Sequence, residues 1–349
     1  MLQPLTQLLA AGRSLDREQV AGAVRDLVAE AVSPEEKASF LAALAAKGET
    51  ADELGSFALE LRELSLQPPL DAGTRARVIL DVCGTGGDRL NTFNISTTVA
   101  LLAASAGITV AKHGNRAVTS RSGSADVLEE LGIRIDLTPA ESAERLRDHH
   151  FAFFFAQRFH PAFKNIAPAR RLCAERGQRT IFNLLGPLLN PARPGAQLIG
   201  VPRPEWCEPV GKVLQAIGVR RGMIVSGTVP IPGAEPAFLD ELSTLGETTV
   251  AEFYQDRGFA SSRLEPHHFP LQRATLADLA GGDRKTNAAI LRRILGGEER
   301  GPKRDAVLLN AAAALFVAGH SRSMVEGWEE AARLIDSGAA SGKLKALAG

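Results

Sequence analysis

Hydrophobic periodicity changes abruptly at Gln67-Pro68-Pro69-Leu70, and the two sides of that break call for different architectures. Before it, apolar residues recur at helical spacing: Val20, Val24, Leu27, Val28 and Val32, then Phe40, Leu41 and Leu44, then Leu54, Phe57, Ala58, Leu61 and Leu64. Ser33-Pro34-Glu35-Glu36 and Thr50-Ala51-Asp52-Glu53 each place a glutamate three residues after an N-cap hydroxyl, a pattern that satisfies orphan amides at a helix start. No strand signal intervenes, which predicts a small helical unit over 1–70. Beyond the break, buried-strand runs at 77–82, 108–111, 151–156, 198–201 and 223–226 alternate with helical stretches at 98–106 and 124–132. A further core helix is predicted at 307–317. This grammar predicts an α/β unit over 75–349 with a mostly parallel central sheet.

Forty basic residues balance forty acidic ones among 349, which argues against a partner held chiefly by bulk charge, such as a nucleic acid. The longest apolar run, Val99–Ala111, is broken by Ser105 and Thr109 and falls short of the ~18 residues that span a bilayer. Polar and acidic residues punctuate the leucines of Met1–Arg17, so no secretory leader is expected. Cys83, Cys173 and Cys207 are too few and too scattered for a disulfide framework or a C-x-x-C site, and they suit a reducing cytoplasm. A cytoplasmic enzyme acting on small molecules is the class that fits.

Two polar clusters carry chemistry. Asp81-Val82-Cys83-Gly84-Thr85-Gly86-Gly87-Asp88 follows a strand and precedes a helix whose start holds Asn94-Ile95-Ser96-Thr97. Glycines there allow backbone amides to approach an anion, and a helix N-terminus favours negative charge. Alone this is a weak signal that a tight turn would also explain. It is not a dinucleotide fingerprint, which needs glycine where Arg89 stands, nor a P-loop, which needs Gly-Lys-Ser/Thr. The second cluster, Lys112-His113-Gly114-Asn115-Arg116, leaves the carboxyl end of the next strand, where open α/β sheets bind ligands. Ser120, Ser122, Gly123 and Ser124 then form another hydroxyl-rich turn.

Taken in order, these segments resemble the anthranilate phosphoribosyltransferase family: Gly84–Asp88, Thr92–Thr97, Lys112–Arg116, Gly123–Leu128, Phe159–Lys164, Arg179–Leu188, Leu239–Ser243 and the helix containing Asn310. The resemblance covers nearly the whole chain. It implies a small N-terminal helical domain hinged to a larger α/β domain, with residues from about 161–190 returning to the helical one and the site between them. It implies transfer of a phosphoribosyl group from phosphoribosyl pyrophosphate to the amine of anthranilate, in tryptophan biosynthesis, with magnesium required. Carried over, Gly84, Gly87, Asp88, Thr92, Asn94, Ile95, Ser96, Thr97, Lys112, Ser120 and Ser124 would hold phosphoribosyl pyrophosphate. Ser96 would touch one magnesium ion, and Asp240 and Glu241 a second. Asn115 and Arg170 would face anthranilate, with Gly84, His113, His160 and Gly186-Pro187 near it. No dedicated general base is identifiable, and a homodimer is what the family suggests.

Two segments depart from the family pattern. Leu172–Gln178 is about three residues longer than usual, which leaves Arg171 as an alternative to Arg170. The loop Thr228–Leu239 is also longer and has Phe238 where glycine is common. A pyrimidine nucleoside phosphorylase would share the fold, but the Lys112–Asn115 cluster and the Asp240-Glu241 pair favour the transferase. A non-catalytic relative that binds nucleic acid would need a basic surface, which the charge balance opposes.

Overall fold

A computed structural model describes residues 2–117, 121–254 and 258–349. Among these, eight strands form one sheet: β1 (Ile79–Gly84), β2 (Thr109–Gly114), β3 (Phe151–Phe155), β4 (Ala196–Gly200), β5 (Arg221–Val229), β6 (Ala237–Leu239), β7 (Thr248–Tyr254) and β8 (Ala260–Leu264). Their order is β3-β2-β1-β4-β5-β7-β8, with β6 pairing onto β5. The five strands from β3 to β5 run parallel, and β6, β7 and β8 are antiparallel additions at one side. The parallel strands are buried almost throughout, as a sheet covered on both faces requires.

One face packs on helices Ile95–Ser105 and Pro302–Val317, where Val99, Leu102, Leu309 and Ala312 meet Leu80, Val110, Leu198 and Met223. The other face takes helix Cys207–Ala216, whose Val210, Val213 and Leu214 join Ile199 and Ile224 of the sheet to Leu54, Phe57 and Leu61. One apolar core therefore runs from the sheet into the helical unit. That unit comprises helices Gln3–Ala10, Arg17–Val28, Pro34–Lys47 and Ala51–Glu63. Helix Ala167–Glu175 lies against Pro34–Lys47. Buried Lys37 fastens this later segment: its Nζ donates to the carbonyls of Ala29 (2.7 Å) and Asn165 (2.9 Å), and Asn165 Nδ2 donates to Val28 O (2.8 Å).

The two capping sequences behave differently. Thr50 Oγ1 accepts from Glu53 N–H (3.1 Å) and Glu53 Oε2 accepts from Thr50 N–H (2.8 Å), closing the reciprocal box. Ser33 caps Glu36 N–H (3.2 Å), but the Glu36 carboxylate instead accepts from Leu2 N–H (3.0 Å), tying down the start of the chain. Boundaries also shift. The strand expected at 108–111 runs to Gly114, so Lys112 and His113 are strand residues whose register is set by pairing to Phe153 and Phe154. The helical stretch read over 98–106 begins at Ile95 and ends at Ser105, so Ile95, Ser96 and Thr97 form its first turn.

Candidate active site

The site forms where β1, β2 and β4 end. The acidic pair Asp240-Glu241 follows β6 and descends between β1 and β4. A Cβ on Gly84 would overlap the Asp240 carboxylate, and one on Gly200 would overlap the Asp240 carbonyl, so both strand ends are glycine because the acidic segment crosses them. Asn310, fully buried, grips that segment from below: its Oδ1 accepts from Leu242 N–H (2.9 Å) and its Nδ2 donates to Leu242 O (3.1 Å). Above, Asp240 Oδ2 accepts from Gly86 N–H (2.7 Å) and Glu241 Oε1 accepts from Ser96 N–H (3.0 Å). The turn amide and the amide in the first turn of the helix are thus both aimed at anionic oxygen.

Lys112 is the cation at this floor. Its Nζ is buried, donates to Val82 O (2.6 Å) and lies 3.4 Å from Ser96 Oγ. Burial pushes the Asp81 carboxyl up to about 6, an effect that the Lys112 ammonium partly opposes. Asp240 is raised well above the usual carboxylate range by burial and then by repulsion from Asp88 and Glu241. Burial likewise raises Asp88 and Glu241. These carboxylates outnumber their counter-charge, and a divalent cation would relieve the excess. Among the described residues no three His, Cys, Asp or Glu converge into a ready metal cage. Magnesium does not require one, since it keeps waters and binds through one or two carboxylates plus phosphate oxygens. The donor set therefore fits it.

The opposite wall is built from rings. His113 Nδ1 lies 3.1 Å from Gly186 O, so the proton belongs on Nδ1 and leaves Nε2 an acceptor. His160 Nε2, 3.2 Å away, then donates to it. Burial holds both imidazoles neutral, lowering His113 to about 4 and His160 to about 3. From His160 the contacts continue outward. Its ring stacks on Phe163 at 4.9 Å, Phe163 meets Phe182 edge-on at 5.6 Å, and the Arg170 guanidinium sits over Phe182 at 5.1 Å.

The residues singled out in the sequence divide accordingly. Gly84, Asp88, Ser96, Lys112, Asp240 and Glu241 gather at the acidic floor, with Gly87 next to Asp88 in the turn. His113, His160 and Arg170 belong to the ring wall, whereas Arg171 makes no ion pair or ring contact among the described residues. Asn115 lies exposed after β2, its Oδ1 accepting from Arg116 N–H (2.8 Å) and its carbonyl accepting from Ser124 Oγ (3.4 Å). Asn94, expected among capping-type side chains, makes no cap bond. Its Nδ2 donates to Ser122 O (3.2 Å) and its Oδ1 accepts from Asn287 Nδ2 (2.8 Å), which ties loop to helix. Ile95 and Thr97 are buried, and Thr92 is bridged to Ala280. Ser120 lies outside the described residues.

Two further carboxylates support the site. Asp81 accepts from His113 N–H (3.3 Å) and from Asn190 Nδ2 (2.9 Å). A carboxylate inside an apolar strand was the available signal, because such a group persists only when partnered. Asp126 accepts from Ala117 N–H (3.0 Å) and Gly123 N–H (2.9 Å), bracing the loop after β2.

A family model for the helical bundle domain of a glycosyl transferase family matches residues 3–65, and one for the α/β domain matches 76–341. Anthranilate phosphoribosyltransferase 2 of Streptomyces coelicolor is 45% identical over 332 residues, 95% of this chain and 94% of that protein. Anthranilate phosphoribosyltransferase from Thermus thermophilus has a crystal structure that matches with a TM-score of 0.87 at 41% identity, covering 98% of each chain. The Saccharomyces cerevisiae anthranilate phosphoribosyltransferase, solved in complex with phosphoribosyl pyrophosphate and magnesium, matches with a TM-score of 0.83 at 28% identity, over 99% of this chain and 96% of that one. With this identity sustained from the helical unit through the acidic segment, the chain belongs to the anthranilate phosphoribosyltransferase family.

Proposed function

We propose that this chain transfers the phosphoribosyl group of phosphoribosyl pyrophosphate to the amine of anthranilate and releases pyrophosphate, a step of tryptophan biosynthesis. The observation that carries the reading is the seating of two carboxylates on the Gly86 and Ser96 amides, beside buried Lys112. Phosphate oxygens suit those amides for the same reason. Gly84, Gly87, Asp88, Thr92, Asn94, Ser96, Thr97 and Ser124 line the phosphoribosyl pyrophosphate side with the backbone of Ile95, and Ser120 joins them. Ser96, Asp240 and Glu241 would hold magnesium, which would supply charge neutralisation for the departing pyrophosphate. Lys112 adds a fixed positive charge next to the helix N-terminus, where negative charge grows as the ribosyl–oxygen bond breaks.

Anthranilate occupies the ring wall. Arg170 takes its carboxylate through planar N–H groups, Asn115 offers an amide, and the His113–His160 pair with Gly186-Pro187 forms a neutral backing. The leaving group departs towards the acidic floor while the amine waits on the other side, so alignment rather than a dedicated base does the work. Neutral imidazoles next to the amine avoid competing for its lone pair through a proton. The helical unit over 1–70, joined by part of 161–190, closes on the 75–349 unit and keeps water from the reactive ribosyl centre.

Anthranilate fluorescence tests the reading. It should disappear only when phosphoribosyl pyrophosphate and magnesium are both present, and persistence across a range of magnesium concentrations would contradict it. Release of free base from thymidine or uridine with phosphate would point to the phosphorylase instead. We further propose a cytoplasmic homodimer: Cys83, Cys173 and Cys207 are free and buried, in keeping with a reducing compartment. Light scattering should return twice the chain mass.

A further inference from the structure

We propose that Phe182 is a positioning residue for the aromatic substrate, acting through Arg170; this rests on the reading that Arg170 takes the anthranilate carboxylate. The Arg170 Cζ lies 5.1 Å from the Phe182 ring centroid, and among the described residues no carboxylate competes for the guanidinium. A guanidinium laid on a ring uses its face for that contact and keeps its in-plane N–H fork free, which is the geometry that pairs with a carboxylate through two parallel hydrogen bonds. A long side chain on an exposed helix position would otherwise spread over many rotamers and lose that order on binding. Phe182 is itself immobilised. It is 7% exposed, belongs to the core of the helical unit, and is met edge-on by Phe163, which stacks on His160. The direction of the Arg170 fork is thereby registered to the His113–His160 pair rather than left to solvent. Arg171, the neighbour that sequence alone left open, has no such platform among the described residues.

The test is a double-mutant cycle with steady-state kinetics on the full chain. Phe182→Leu should raise the KM for anthranilate about 5- to 20-fold, the range expected for losing a cation–π platform, and leave the KM for phosphoribosyl pyrophosphate within about twofold. Phe182→Tyr, which keeps the ring face, should restore the anthranilate KM. Preference for anthranilate over uncharged 2-aminobenzamide should fall in Phe182→Leu by the same factor, a change that mere loosening of the core would not produce. In an Arg170→Ala background Phe182→Leu should add less than about twofold. A full Phe182→Leu effect persisting in that background would overturn the proposal, as would an unchanged anthranilate KM in Phe182→Leu beside a raised one in Arg170→Ala. Should Phe182→Leu fail to fold, Phe182→Met serves the same cycle. An anthranilate KM unmoved by Arg170→Ala would instead refute the reading on which the proposal rests.

Discussion

The two clusters of the candidate site solve opposite problems with one physical effect. On the acidic floor, burial raises Asp88, Asp240 and Glu241, and repulsion raises Asp240 and Glu241 further, so the cluster favours taking up protons or a cation. On the ring wall, burial lowers His113 and His160, and two neutral imidazoles settle into a single chain of donors and acceptors. The same desolvation therefore leaves a crowded carboxylate cluster on one side and a neutral imidazole pair on the other, where His160 Nδ1 is buried without a hydrogen-bond partner among the described residues. A buried carboxylate cluster is costly to keep unless something binds it, whereas a neutral hydrogen-bonded pair is not.

The largest expected effect breaks the floor by sterics. Gly200→Ala puts a methyl into the Asp240 carbonyl, and forced overpacking of this kind costs roughly 1–3 kcal/mol or more. Activity should fall by about 100-fold, with Gly84→Ala close behind, as read by turnover alongside thermal melting. Next, Glu241→Gln should raise the magnesium concentration for half-maximal rate by about tenfold, the scale of losing a metal-associated carboxylate. Anthranilate KM should stay put. On the wall, Arg170→Ala removes a charge-assisted pair worth about 1.5–3 kcal/mol, so anthranilate KM should rise by about 10- to 100-fold in kinetics at saturating phosphoribosyl pyrophosphate.

The smallest effect concerns stability against pH. His113 and His160 stay neutral in the native state down to about 4 and about 3, below the ordinary 6.5. The unfolded chain binds those protons first, so their contribution is whole above about pH 6.5 and is lost as pH falls towards 4. Asp81 has the opposite sign: its folded value of about 6 exceeds 3.8, so its contribution is greatest at low pH and is lost as pH rises through 6. Removing one histidine isolates its share. Between pH 6 and 4.5, His160→Gln should lose stability less steeply than the parent by about 1.4 kcal/mol per pH unit, as measured by urea unfolding.

How much of this was legible in the sequence depended on which force set each feature. Helices with explicit caps and parallel strands with continuous apolar runs were readable, because local propensity and burial agree there. Strand β8 was not: Ala260, Ser261, Ser262 and Arg263 are exposed, and only pairing to β7 makes them a strand. The glycine turn was readable as a turn, and its Gly86 amide donates to the Asp240 carboxylate. That Gly84 and Gly200 make room for Asp240 was not readable, because the contact spans segments far apart in sequence. Asp81 was in plain view as a charge inside a strand. Its partner Asn190 sits 109 residues away, beyond any spacing rule.

In the proposed function, charge is handled on the floor and the aromatic acid on the wall. Isothermal titration of Glu241→Gln and Arg170→Ala against both substrates tests that division most directly. Glu241→Gln should weaken magnesium-dependent binding of phosphoribosyl pyrophosphate and spare anthranilate, while Arg170→Ala should do the reverse. Equal weakening of both substrates by either variant would contradict it.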